Sequence, residues 1–312
     1  MAEQNKQKPQ EKKEKADNTD KISKMNKTRK EQEQSKSKPR GRGRDRAYRA
    51  EQNKQETLEE WKPKTELGRK VKQKEILDFD QILDHSWAIR EPEITDSLLE
   101  LENELLLIGQ SKGKFGGGAR RVFRQTQKKT QEGNKPKFST IAVVGDRNGH
   151  VGIGMGKAVE TVPAREKAIR KAKPNTFKIR RGCGSWQCGC GTPHSIPFSV
   201  KGKCSSVEIK LIPAPKGTGL CCEKEIAKIL SLAGIKDIWT KTRGQTKNKV
   251  NFIYACEKAL KKLAKTKVQP EHYKQLAIAD GSIEQAETEE KQESQKQEES
   301  KQKEKQGKKE VE

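Results

Sequence analysis

In KFSTIAVVGDRNGHVGIGMGKAVETVPAREKAIRKAK, Lys137–Lys173, one periodicity gives way to another. Ile141, Val143 and Val144 have the β-branched content of a strand, and Val151 and Ile153 alternate with small residues further on. Asn148-Gly149 between them is the pair favoured in two-residue hairpin turns, so a hairpin turning there is expected. From Thr161 a helix is expected, with Pro163 in its first turn. Ala168, Ile169 and Ala172 fall on one face of that helix, and Lys167, Arg170 and Lys171 on another. The stretch and its flank predict a small unit of strand, strand, strand and helix, with a basic helix face.

The glycines of GDRNGHVGIGMGK invite comparison with phosphate-cradling loops. The dinucleotide fingerprint requires G-x-G-x-x-G opening a helix, whereas Gly152, Gly154 and Gly156 simply alternate. A P-loop requires glycine where Val151 stands and Ser or Thr where Ala158 stands. Alternating glycines instead bare one face of a strand, so that another backbone or a nucleic-acid strand can approach it.

A second α+β unit follows. Phe177 and Ile179, then Ile196, Phe198 and Val200, then Val207, Ile209 and Leu211, alternate with polar residues as strands do. EKEIAKILSLAG reads as an amphipathic helix stopped at Gly234, DIWTKTRG as a short strand, and NFIYACEKALKKLAK as a helix with Phe252, Cys256, Ala259, Leu260 and Leu263 on its inner side. Upstream, Trp61, Leu67, Val71, Ile76, Phe79, Ile82 and Trp87 suffice for short helices that dock on a larger body. The chain is thus divided into a disordered basic tail (1–55), a helical N-terminal extension (56–107), a first α+β domain (108–175), a second (176–270) and a disordered charged tail (271–312). RGRGRDRAYR, Arg40–Arg49, has the look of an RNA-contacting arm.

Charge is unevenly placed. Of the net +24, residues 108–270 carry 35 Lys or Arg against 9 Asp or Glu, while residues 50–107 are net acidic, with 8 against 15. A domain this basic repels itself unless it meets a polyanion, and nucleic acid is the expected partner. Aromatics make up only 4%, which favours recognition of backbone and shape in structured RNA over base stacking. No run of eighteen apolar residues exists, so no membrane span is expected. The N-terminus has no apolar h-region, and the odd number of cysteines, 7, fits the reduced cytosol rather than a disulfide framework.

Catalytic constellations are absent from the pattern: none of His85, His150, His194 or His272 lies near a nucleophile elbow or paired carboxylates. In GCGSWQCGCG, Gly182–Gly191, three cysteines are followed by His194. Cys183, Cys188, Cys190 and His194 are either ligands of a structural zinc, wrapped tightly by glycines, or small fillers of a compact loop.

Several separated motifs carry a resemblance. FSTIAVVGDRNGHVGIGMGKAVETVPAREKAIRKAK resembles the first domain of the small-subunit ribosomal protein S-five family, called S-two in eukaryotes. SVEIKLIPAPKGTGL, LAGIKDIWTKTRGQT and NFIYACEKALKKL resemble its second domain, while RRGCGSWQCGCGTPHSIPF and WKPKTELGRKVK resemble the archaeal branch. The resemblance implies an α+β fold: a double-stranded-RNA-binding-like domain, then a small α+β domain with a left-handed crossover. It implies no enzyme, but a structural constituent of the cytoplasmic small ribosomal subunit that binds rRNA near the channel by which messenger RNA enters and supports decoding fidelity in translation. It implies neighbours of the S-four and S-eight families and no small-molecule substrate. The family's loop before FSTIAVVG, here Gln127–Lys137, brings Lys128, Lys129, Lys135 and Lys137 to RNA by this resemblance. Further expected RNA contacts are Arg120, Arg121, Arg124, Arg147, Lys157, Lys167, Arg170, Lys171, Lys178, Arg180, Arg181, Lys201, Lys203, Lys216, Lys241 and Arg243. Lys228 and Lys236 are expected at the interface with the S-four neighbour. The rival reading is a free double-stranded-RNA-binding regulator acting outside the ribosome.

Overall fold

The structure is a computed structural model; it describes residues 58, 60–111 and 118–281. The chain divides into residues 1–61 and a compact unit beginning at Lys62, and the architecture below belongs to the second. The RGRGRDRAYR arm, the expected N-terminal tail and most of the C-terminal tail lie outside the described residues.

Three short helices open the unit: α1 (Glu66–Lys72), α2 (Phe79–Asp84) and α3 (Pro92–Leu98). Thr65 caps α1, its hydroxyl accepting from the Gly68 amide at 3.1 Å. Strand β1 (Glu102–Leu105) follows, so the extension expected to be helical ends in a strand. It pairs antiparallel with β3 (Gly133–Gly145), which also pairs with β2 (Arg124–Thr130) and with β4 (His150–Ala158). Helix α4 (Thr161–Ala172) covers one face of this sheet, and β5 (Thr176–Lys178) closes its edge.

The hairpin between β3 and β4 does not turn in two residues. Its last pair is Gly145↔Val151, and the Asp146 carboxylate accepts from the Asn148 and His150 amides at 2.7 and 3.0 Å. That local hydrogen bonding competes with the tighter turn. Arg147, not Asn148, takes the left-handed conformation, with φ 59°.

The glycine face of β4 meets α4. A Cβ on Gly152, Gly154 or Gly156 would stand 2.1–2.3 Å from the backbone of Ala172, Ala172 or Ala164 respectively. Ala164, Ala168 and Ala172 are fully buried against it, so the element that approaches the bare strand face is the helix's own backbone. The opposite face of β3, with Ile141 and Val143, packs into a core shared with the second sheet.

That sheet runs β7 (Val200–Cys204), β8 (Val207–Pro213), β10 (Ile238–Arg243), β9 (Leu220–Cys221), with β9 parallel to β10 across helix α5 (Lys224–Leu232). Helix α6 (Lys249–Lys265) lies on β7, where a Cβ on Gly202 would meet Ala255 O at 2.1 Å. Gly234 ends α5 with φ 80°, as its stop position predicts. The alternation at Ile196 and Phe198 does not form a regular strand; Ile196 is nevertheless fully buried. One continuous core runs through both α+β units, from Leu106 and Val151 to Ile229, Ile238 and Leu260.

Residues 271–281, expected within the disordered tail, contain helix α7 (Pro270–Gln275) and strand β11 (Ala279–Asp280). Strand β11 pairs with β6 (Arg180–Arg181), and Ala279 is buried. The tail begins folded because its first residues return to the body.

Candidate nucleic-acid interface

The segment Gln127–Lys137, expected as a loop, is a two-stranded ribbon. Strand β2 and the first half of β3 run exposed to a tip at Thr130↔Gly133, where Gly133 takes φ 118°. Lys128 stands directly opposite Lys135, and Thr126 opposite Lys137. Like charges facing across a ribbon destabilise it unless a counter-charge intervenes. Glu132 takes Lys135 at 2.8 Å; Arg124, Lys128, Lys129 and Lys137 have no carboxylate partner among the described residues.

At the ribbon's base lie two open grooves. One, of about 690 Å³, is bordered by Arg120, Arg121, Arg124 and Gln127 and by Lys247 and Lys249, of which Lys249 is paired with Glu223 at 2.8 Å. The other, of about 390 Å³, is bordered by Arg124, Lys137, Lys157 and Met155. Arg124 belongs to both, so the cations form a continuous strip from the ribbon into the body. On α4, Lys167, Arg170 and Lys171 are exposed, as their spacing predicts, also without carboxylate partners among the described residues. Lys201, Lys216, Lys236, Lys241 and Arg243 are likewise exposed, whereas Lys203 is paired with Glu208 at 2.9 Å. Lys228 is half-buried, 3.5 Å from Glu225.

Other expected contacts are engaged internally. Lys178 pairs with Asp84, and Arg147 with Glu102 at 2.7 Å. Arg180 pairs with Asp280 at 2.8 Å and donates to the Thr266 carbonyl. Arg181 is buried, and its guanidinium donates to the carbonyls of Asn148 and Gly281 at 2.9 and 2.8 Å. It serves the interior and is removed from the set of phosphate contacts. The acidic extension accounts for much of this pairing, since Asp80, Asp84, Asp96 and Glu102 each meet a basic group of the folded centre.

His150 was not legible from the sequence as a functional position. Its buried ring lies between Asp146 on Nδ1 at 2.5 Å and Asp80 on Nε2 at 2.8 Å. Burial opposes its charge, but the hydrogen bonds and fields of Asp146 and Asp80 prevail and raise it to about 9. His150 is therefore a buried cation clamped by two carboxylates, which fastens α2 to the hairpin loop.

The glycine loop brings its expected group together: one donor atom from each of Cys183, Cys188, Cys190 and His194 lies within 4.8 Å of every other. Gly184 is required there, because a Cβ would sit 1.9 Å from the Pro197 carbonyl. His194 is buried and its Nδ1 meets the Asp237 carboxylate at 2.8 Å. Cys188, His194 and Asp237 line up as a nucleophile, base and orienting carboxylate would. Two further thiols crowd the same nitrogen, which suits four shared donors better than one attacking sulfur. Of the other cysteines, Cys256 is buried in α6 and Cys221 is exposed in β9.

A basic sheet-and-helix protein whose ribbon, grooves and α4 present exposed cations is what these features define. Family models for ribosomal protein S5 match residues 122–180 (N-terminal domain) and 202–272 (C-terminal domain). The "small ribosomal subunit protein uS5" of Nanoarchaeum equitans is 51% identical over 227 residues, 72% of this chain and 97% of that protein. The protein of the same name from Methanocaldococcus jannaschii is 45% identical over 227 residues, 72% of this chain and 98% of that protein. The chain belongs to the ribosomal protein S5 family, is of the archaeal type, and is a structural protein rather than an enzyme.

Proposed function

We infer that this chain is a structural constituent of the cytoplasmic small ribosomal subunit that holds folded rRNA by neutralising its phosphates. One observation carries the reading. The structure segregates its cations: those near the N-terminal extension are matched by that segment's carboxylates, whereas those of the ribbon, its flanking grooves and α4 are left largely unmatched. Unmatched, exposed Lys and Arg on rigid elements suit a polyanion of fixed shape.

The finer reading follows from the same parts. The three antiparallel strands β2, β3 and β4 with α4 packed on one face support a double-stranded-RNA-binding-like first domain, and the second α+β unit would carry a left-handed crossover. The ribbon of Lys128, Lys129, Lys135 and Lys137 is the projection that would reach across rRNA near the channel by which messenger RNA enters, where the protein would support decoding fidelity. Lys236, exposed beyond the end of α5, and Lys228 on that helix would face an S-four-family neighbour, with an S-eight-family protein also adjacent.

Replacing Arg170 and Lys171 by Glu tests the assignment. The expected result is a folded variant that fails to enter the small subunit, read by the fraction co-sedimenting with it. Normal incorporation would remove α4 from the RNA contact.

A further inference from the structure

We propose that Cys183, Cys188, Cys190 and His194 bind a structural zinc ion, and that His194 ties this ion through Asp237 to the glycine loop carrying Lys216. With Zn–S near 2.3 Å and Zn–N near 2.0–2.1 Å, a tetrahedron has S···S edges of about 3.8 Å and S···N edges of about 3.6 Å. The Cys183 and Cys190 sulfurs are 3.6 Å apart, and Cys188 Sγ lies 3.6 Å from His194 Nε2. Both distances match tetrahedral edges, and all four donor atoms lie within 4.8 Å of one another.

The histidine is oriented for this role. Asp237 Oδ2 engages Nδ1 at 2.8 Å, which fixes the tautomer with its proton on Nδ1 and leaves the Nε2 lone pair toward the sulfurs. The backbone holds the same register: the His194 carbonyl accepts from the Lys236 amide at 2.9 Å and from the Asp237 amide at 3.2 Å. Binding converts three thiols to thiolates and releases their three protons to solvent, leaving three thiolates, a neutral imidazole and Zn²⁺. The arrangement is closed, with no position left for substrate, as in structural sites.

Asp237 also links the site to a second loop. Its Oδ1 accepts from the Gly217 amide at 3.1 Å and the Gly219 amide at 2.8 Å, and both glycines have positive φ. Lys216 lies beside them, exposed. The metal thus braces the connection between the two sheets and, through His194 and Asp237, the backbone that presents Lys216.

The test uses the full chain purified without chelator from zinc-supplemented cells. About one zinc per chain is expected by mass spectrometry, and cobalt substitution should give the visible ligand-field absorption of a tetrahedral thiolate site. Cys190→Ser, a change at the loop's edge, should lose stoichiometric metal. Asp237→Asn should lower zinc affinity by about 10–100-fold with all four ligands intact. Should Cys190→Ser fail to fold, titration of the unaltered chain with a thiol reagent decides, because zinc release should track the modification of three protected thiols. Stripping the metal should speed hydrogen exchange at the Gly217 and Gly219 amides. A chain holding iron or no metal, with all three thiols reactive at the outset, would overturn the proposal. So would unaltered zinc affinity in Cys190→Ser and Asp237→Asn together.

Discussion

At position 150, a histidine that the sequence offered only as one of four becomes a buried cation because Asp80, 70 residues upstream, and Asp146 converge on its two nitrogens. Burial disfavours the charge; the two carboxylates outweigh it. The groups that face the ring are Asp146 in its own loop, Asp80 and the Phe79 edge from α2, Arg181 through Asp146, and Lys178 opposite it on β5. His150 is raised from 6.5 to about 9, so its contribution is complete below about pH 6.5 and is lost as pH rises through about 9. Asp146 is depressed below 3.8, so its share is present above that value and is lost as pH falls through the lower folded value. Thermal stability should therefore plateau from about pH 4 to pH 6.5 and decline toward pH 9. Asp80→Asn should flatten the alkaline decline, measured by denaturation at several pH values; an unchanged decline would remove His150 as its cause. Gly154 behaves differently, since its role was written in the alternation of glycines. The occupant of the bare face was not, because the pattern alone does not distinguish a helix backbone from a nucleic-acid strand. Gly154→Ala would place a methyl 2.3 Å from Ala172 N and should cost about 1–3 kcal/mol or more, read from the denaturant midpoint.

Among the elements, the strands and helices of the centre were legible because their apolar residues repeat at two and at 3.6. Helix α6 and strands β8 and β10 fall where the alternation puts them. The ribbon was not. RQTQKKT and the start of β3 lack an apolar face, since the ribbon has no core to pack against, and period-based reading sees a polar loop. Its cations were legible as residue types; that Lys128 faces Lys135 is a fact of register, which the turn at Thr130↔Gly133 sets. Strand β11 escaped for a related reason: two residues pairing with β6 give no periodic signal inside a charged tail. Lys128→Glu with Lys137→Glu should leave the fold intact, because both side chains are exposed. It should weaken RNA binding and reduce the steepness of its salt dependence by about one unit per lysine. A variant with unaltered affinity and slope would show that the ribbon does not touch phosphate.

Across the whole molecule, the uneven charge of the sequence acquires a physical purpose. The acidic extension docks through four carboxylates and neutralises part of the centre, while the exposed cations of the ribbon, its grooves, α4 and the second sheet are left largely unmatched among the described residues. The resulting self-repulsion should make stability of the free chain rise with salt, as screening weakens like-charge repulsion, while RNA binding falls steeply over the same range. Opposite salt responses of folding and binding, measured on one preparation, would follow from no neutral surface. The measurement that bears most directly on the central claim is sedimentation of cell extract through a sucrose gradient at physiological salt, following this chain by immunodetection. The chain is expected to stay with the small subunit, held by many phosphate contacts at once. A chain recovered free at the top of the gradient, beside intact small subunits, would contradict it.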